Sequence, residues 1–216
     1  IVPVEGANSP LVVFGLTNGQ SYTFTVAAVN SAGTGTPSAA SNAVTPQAAQ
    51  TITFTTTAPS ATVGGPVYTP AAIASSGLPV SFALDPASSA VCTLTGAQVS
   101  FQAIGNCTIN ANQAGNNTFL AAPQVQQTVT VAKGAQTITF TSTAPSATVG
   151  GPVYTPTATA TSGLPVSFAI DPASSAVCTL TDGQVSFQAA GSCTINATQA
   201  GNSNYNAAPP VQQSFS

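Results

Sequence analysis

The groups in this sequence that are capable of chemistry are few: four cysteines, one lysine, four carboxylates and no histidine. Cys92 and Cys107 stand fifteen positions apart, and so do Cys178 and Cys193. An even number of cysteines at a repeated spacing reads as two disulfides, Cys92 with Cys107 and Cys178 with Cys193, and hence as a secreted or surface location. Zinc is the competing reading, but without histidine or a C-x-x-C pair no metal is assigned. Nucleophilic catalysis would need a base beside a Ser, Thr or Cys, and the only candidates are Lys133 and the scattered acids Glu5, Asp85, Asp171 and Asp182. None makes a convincing partner, so no catalytic residue and no cofactor is assigned, and the chain is read as a non-enzyme.

The remaining polar and aromatic residues have structural readings. Asp85 and Asp171 are each followed by proline and a serine-rich stretch; calcium wants several oxygens from clustered acids, so turn capping is the reading. Asp182-Gly183 reads as a two-residue hairpin turn. Lys133 lies in Val131-Ala132-Lys133-Gly134-Ala135. An isopeptide bond would need that lysine buried beside an acid, and a solvated linker charge fits better. Tyr68, Tyr154, Tyr205, Phe119, Phe82 and Phe168 could form a sugar-stacking platform, but their strand positions favour core packing. Asn106-Cys107-Thr108, Asn116-Asn117-Thr118 and Asn196-Ala197-Thr198 match the N-glycosylation acceptor pattern. Ligand-binding residues remain unassigned.

Composition sets the class. Charged residues are 2% of the 216 and hydrophobic ones 43%. Binding to phosphate backbones or anionic lipid needs clustered Lys and Arg, which argues against nucleic acid and membrane-surface partners. No run of about 18 apolar residues occurs, so no membrane insertion is expected in this segment. A targeting signal is expected outside it. Thr, Ser, Asn and Gln alternate with Val, Ile and Phe, the pattern of half-buried strands with hydroxyl-bearing outer faces.

These strands belong to a tandem repeat. Gln50 to Thr130 aligns without a gap on Gln136 to Ser216, an offset of 86, with 63 of 81 positions identical. About 80 residues can enclose a core, so each copy is expected to fold as a domain. Within the first copy, strands are expected at 51–55, 67–74, 80–84, 91–94, 99–102, 107–111 and 124–131, with no helix. Gly64-Gly65-Pro66, Gly77-Leu78-Pro79, Asp85-Pro86 and Gly115-Asn116-Asn117 break the chain between them. The fold class is therefore all-β: tandem immunoglobulin-like β-sandwiches of about seven strands each, in a beads-on-a-string array.

Two resemblances sharpen this. The stretch from Leu16 to Val26, followed by Val29-Asn30-Ser31-Ala32-Gly33 and then Ser38 to Pro46, resembles the second half of a fibronectin type III domain, including the Leu16-to-Tyr22 spacing of its tyrosine corner. The strands that precede this half in the family are absent, and both ends read as cut from a longer protein. The copies at 50–131 and 136–216 resemble bacterial immunoglobulin-like domains of giant surface proteins and adhesins, in Gln-Thr-Ile-Thr-Phe, in Ser-Gly-Leu-Pro-Val-Ser-Phe and in Gln-Ala-Gly-Asn-Ser-Asn-Tyr-Asn-Ala-Ala from Gln199. That resemblance implies a modular extracellular array on a bacterial cell surface.

The functional expectation is a structural stalk or spacer, with residues 1–46 a fibronectin-like half domain and the short joint at 131–135 limiting how far neighbours pivot. One alternative is a subunit of a self-assembling extracellular filament, completed by neighbouring chains. Another is a carbohydrate-binding accessory of a secreted hydrolase. The expected partners are neighbouring domains of the same chain, other copies in a fibre, or surface glycans.

Overall fold

The computed structural model describes residues 4–216. Among the described residues the regular structure is β, apart from two 3₁₀ turns at Pro86–Ser88 and Pro172–Ser174. These residues fall into two compact units. One is the segment ending at Ala58 with Thr69–Asp85 and Thr108–Thr128, and the other is Pro59–Tyr68, Pro86–Cys107 and Val129–Ser216.

In the first unit, residues 22–44 form an interrupted antiparallel ladder. Tyr22 and Val44 exchange both backbone bonds, at 2.9 and 2.8 Å, and the far end closes as β1 (Val29–Asn30) against β2 (Gly33–Thr34). Between them Phe24 N and Val26 N donate to the hydroxyls of Ser41 and Ser38, at 3.0 and 3.1 Å. A serine side chain thus stands where a ladder would place a carbonyl, and regular pairing lapses there. β3 (Ile52–Phe54) pairs antiparallel with β5 (Ala72–Ala74), which sets Ile52 opposite Ala74, both buried. β6 (Ser81–Leu84) pairs with Ile109–Asn112 of β9 (Gly105–Asn112). Phe54 and Phe82 meet with ring centroids 5.9 Å apart. β9 and β10 (Val125–Ala132) run from this unit into the second. Within the first unit their polar side chains meet in rungs: Gln124 donates to Asn112 at 2.7 Å, Gln126 to Asn110 at 2.8 Å, and the Thr108 and Thr128 hydroxyls lie 3.0 Å apart.

The second unit contains the rest of the first copy. β4 (Ala61–Thr62) pairs parallel with Val131 and Ala132, and β7 (Cys92–Thr95) forms a hairpin with β8 (Gln98–Phe101). It also holds the second copy through Ser216, and that copy repeats this architecture without a counterpart of β4. β13 (Ser167–Ile170), β16 (Cys193–Thr198) and β17 (Val211–Phe215) form one antiparallel sheet. Against it lie the pairs β11 (Ile138–Phe140) with β12 (Ala158–Ala160) and β14 (Cys178–Thr181) with β15 (Gln184–Phe187). Val185 and Phe187 pack on Ile195 and Phe215 at one end of this sandwich, and Ile138 packs on Ala197 and Ala208 at the other. Phe215 sits edge-on to both Tyr154 and Phe187, at 5.4 and 5.6 Å, a preferred aromatic geometry. Asp182 and Gly183, with φ of 50° and 78°, make the β14–β15 turn with both residues in the left-handed region, as a type I′ hairpin requires.

One local expectation is corrected, and two local features went unforeseen. The 3₁₀ turn at Pro172–Ser174 arises because proline fixes φ at the first position while Asp171 Oδ1 accepts from Ala173 N at 3.0 Å, and Pro86 opens the equivalent turn in the first copy. The expected strand at 67–74 shortens to β5, because Pro66 and Pro70 remove two donors and leave Tyr68 as a lone bridge to Val99. The two-residue β4 was not foreseen.

Cys92 and Cys107 form a disulfide, as do Cys178 and Cys193, with Cα atoms 5.9 Å apart in each. All four are almost completely buried. Each bond ties the first strand of a hairpin, β7 or β14, to the strand that follows it, β9 or β16. Loop-closure entropy for this loop length is about 3 kcal/mol. A second tie is polar. Gln136, 3% exposed, donates to Gln199 Oε1 and Asn206 O, both at 2.6 Å, while its own oxygen accepts from the Ser162 hydroxyl. Gln50 repeats this with Gln113, Leu120 and Ser76.

Replacing Cys178 and Cys193 together by serine is expected to lower the stability of the second copy by about 3 kcal/mol, read from its urea unfolding curve. Gln136→Leu, which leaves the Asn206 carbonyl without this donor, is expected to cost about 2 kcal/mol in the same assay. A value near zero would mean that water takes the place of the amide.

Candidate functional site

The residues that sequence reasoning singled out for chemistry do not converge. The cysteines are consumed in disulfides. Asp171 is held by its turn, and its other oxygen accepts from Asn196 at 3.2 Å and Gln212 at 3.4 Å. Asp182 lies in the β14–β15 turn. Among the described residues no group of three or more His, Cys, Asp or Glu is placed to hold a metal. An open cleft of about 430 Å³ beside Phe168, Ile170 and Leu180 is lined in part by Ser175 and Thr179 and by no acid or base. The aromatics divide: Phe168 stacks on Phe140 at 5.8 Å, and the Tyr154 hydroxyl is bonded to Ser142 and Gln213, both at 2.6 Å. Tyr205 and Phe119 have a different role.

That role is at the joints. Ahead of the second copy, Gly134 pairs with Tyr205 in a parallel bridge: Gly134 N donates to Asn204 O, and Asn206 N donates to Gly134 O, both at 2.9 Å. A linker that leaves one sandwich thus has its backbone bonded into a loop of the next, instead of spanning water. The loop is shaped for this. Asn202 Oδ1 accepts from Asn204 N and Tyr205 N, at 2.8 and 2.9 Å, an Asx turn. Gly201 takes φ +76°, where a Cβ would strike Tyr205 O at 2.4 Å.

The approach is close. A Cβ on Gly134 would lie 2.4 Å from Val63 O and 2.9 Å from the Tyr205 ring, so no larger residue fits. The Tyr205 hydroxyl stands 3.3 Å from where Gly64 would carry a Cβ. Asn204 reaches back to the first copy, its Nδ2 toward Gln102 O and its Oδ1 toward Ile104 N, both at 3.4 Å. Lys133, read as a solvated linker charge, is exposed but donates through Nζ to Asn202 O at 2.7 Å.

The same device stands 86 residues earlier, in the first unit. Ala48 bridges Phe119 in parallel, with Ala48 N donating to Thr118 O and Leu120 N to Ala48 O, both at 2.8 Å. Asn116 Oδ1 makes the same Asx turn, and Gln47 takes the place of Lys133, donating to Asn116 O at 2.5 Å. Gly19 faces Thr118, whose Oγ1 lies 2.7 Å from its Cβ position. Sequence reasoning saw these loops as a break between strands, a glycosylation pattern and a motif of resemblance, and not as the partner of a linker. The available signal was the repeated Gln-Ala-Gly-Asn, followed three residues later by an aromatic, at an offset of 86 from the first copy to the second.

No family model matches the chain. No curated protein is similar to it in sequence. Among solved structures it is similar to a crystal structure of human protocadherin-24 EC1-2, at 14% identity and a TM-score of 0.31 over 78% of this chain and 97% of that one. It is also similar to a second crystal form of those domains, at 13% identity and a TM-score of 0.32 over 76% of this chain and 96% of that one. The β-sandwich assignment rests on this chain's own strands and their pairing.

Proposed function

We propose that this chain is a non-catalytic structural segment of a large bacterial cell-surface or adhesin-like protein, acting outside the cell as a stalk that spaces other parts of that protein. The module is taken to be the 86-residue repeat, with domains at 50–131 and 136–216 preceded by a fibronectin type III-like half domain at 1–46. For that half domain, the support is the tyrosine corner sequence together with the bond from Thr17 N to the Tyr22 hydroxyl at 3.0 Å. For an extracellular setting, the support is the pair of buried disulfides, which persist in oxidising compartments.

The observation that carries the stalk reading is the joint built twice, at Ala48 with Phe119 and at Gly134 with Tyr205. A spacer must resist bending, and a free linker of five residues would let neighbours swing. Backbone bonds from linker to loop, and in the second joint a glycine against a neighbouring carbonyl and ring, remove that freedom.

Asn204→Ala with Tyr205→Ala tests this. Nuclear spin relaxation is expected to show the two copies tumbling more independently in the double variant, with the unfolding free energy of the second copy changed by no more than about 0.5 kcal/mol, as for surface substitutions. Unchanged tumbling would remove the mechanical role of the Asn204 and Tyr205 side chains in the joint.

A further inference from the structure

Across 216 residues a single side chain is cationic, and it stands at a joint. Lys133 donates through Nζ to Asn202 O at 2.7 Å. In the first joint Gln47, at the repeat offset, donates to Asn116 O at 2.5 Å. A neutral amide therefore meets the structural need, and the charge at 133 is surplus to it. What that charge adds is an address for proteolysis, since serine endopeptidases with a carboxylate in the S1 pocket cut after lysine or arginine. The Lys133 side chain is exposed, but Gly134, across the bond to be cut, is buried. Such an enzyme must take the backbone on both sides of that bond into its own cleft, and here the backbone is already engaged. Ala132 O accepts from Val63 N at 3.0 Å, Gly134 N donates to Asn204 O, and Gly134 O accepts from Asn206 N, the last two at 2.9 Å. Upstream the chain is β10, and downstream Gln136 is buried. Val63 O and the Tyr205 ring stand so close to Gly134 that not even a Cβ fits.

We propose that the Lys133–Gly134 bond is a concealed cleavage site for a lysine-specific serine endopeptidase, shut while the joint is closed and presented when it opens. Hydrolysis adds water across the bond from the Lys133 carbonyl carbon to Gly134 N. It leaves a carboxylate on Lys133 and an amine on Gly134, and it needs no other reagent. Neither disulfide spans the cut, because Cys92–Cys107 lies before it and Cys178–Cys193 after it. One cut therefore parts the chain between its two copies, and no other Lys or Arg in the 216 residues offers a second. The first joint has the same clamp, but Gln47 gives this class of enzyme nothing to recognise. The inference rests on the joint reading above and gives the opening of one joint a chemical consequence that the other lacks.

The test is limited digestion of the full 216-residue chain with trypsin, beside a peptide of residues 129–138 as the unstructured reference. The intact chain is expected to be cut at least about 100-fold more slowly than the peptide, into residues 1–133 and 134–216, because cutting waits on a small open population. With Asn204→Ala and Tyr205→Ala together, cutting is expected to quicken at least about tenfold while the urea unfolding curves of both copies stay in place. If the double change unfolds the second copy, Tyr205→Ala alone is used. Cutting of the intact chain as fast as the peptide, or no faster in the variant, overturns the proposal. So does a cutting rate whose urea dependence matches that of whole-copy unfolding, since the bond then waits on a sandwich and not on the joint. A variant that tumbles more independently yet is cut no faster sinks only this inference. Unchanged tumbling together with unchanged cutting sinks the role of those side chains in the joint as well.

Discussion

A polypeptide leaving one β-sandwich for the next must do something with the N–H and C=O groups of its linker, since a buried backbone group without a partner costs as much as a lost hydrogen bond. Here Ala48 and Gly134 hand both groups to the loop that closes the following copy. Much else follows from that bond. It fixes why the loop turns sharply on Asn202 and Gly201 and why an aromatic stands at 119 and 205, while the nearness of Val63 O and the Tyr205 ring keeps residue 134 a glycine. It also explains why the buried glutamine lies just beyond, since Gln136 donates to Asn206 O, the carbonyl of the residue whose N–H bonds to Gly134.

Inside each copy the same economy of means recurs. The outer face of β9 and β10 is joined by amide and hydroxyl pairs, and β16 and β17 repeat it with Thr194 against Ser214 at 2.8 Å and Gln212 on Asn196 at 2.8 Å. Neutral pairs of this kind stand where many surface sheets carry lysine and glutamate. Their individual contributions are modest, roughly 0.2–1 kcal/mol per cross-strand pair. Beneath them the disulfide joins hairpin to sheet in the region where the side chains are fully buried. Among the described residues no buried side-chain polar atom is left without a partner.

Much of this was legible in the sequence. Period-two alternation located β3, β6, β9 and β10, because each has one buried face and the pattern is local. The cysteine pairs and the Asp182-Gly183 turn were legible for the same reason: spacing and φ preference act over a few residues. β4 was not, since two residues make a strand only because Val131 and Ala132, 70 positions onward, pair beside them. The 3₁₀ turns were hidden because Asp-Pro reads equally as a simple break. Lys133 was misjudged in part: its exposure was foreseen, but not the Asn202 carbonyl within its reach. The joint as a whole was seen as a short linker. Its clamp was missed because it depends on a loop 70 residues downstream.

Apart from the Lys133 ammonium on the Asn202 carbonyl in the second joint, where the first joint uses neutral Gln47, the bonds that hold the joint run between uncharged groups. Ionic screening weakens attraction between exposed charges and leaves neutral dipoles nearly untouched. A joint built this way has almost nothing for dissolved salt to act on. Its backbone bonds should therefore hold in brine much as they do in fresh water.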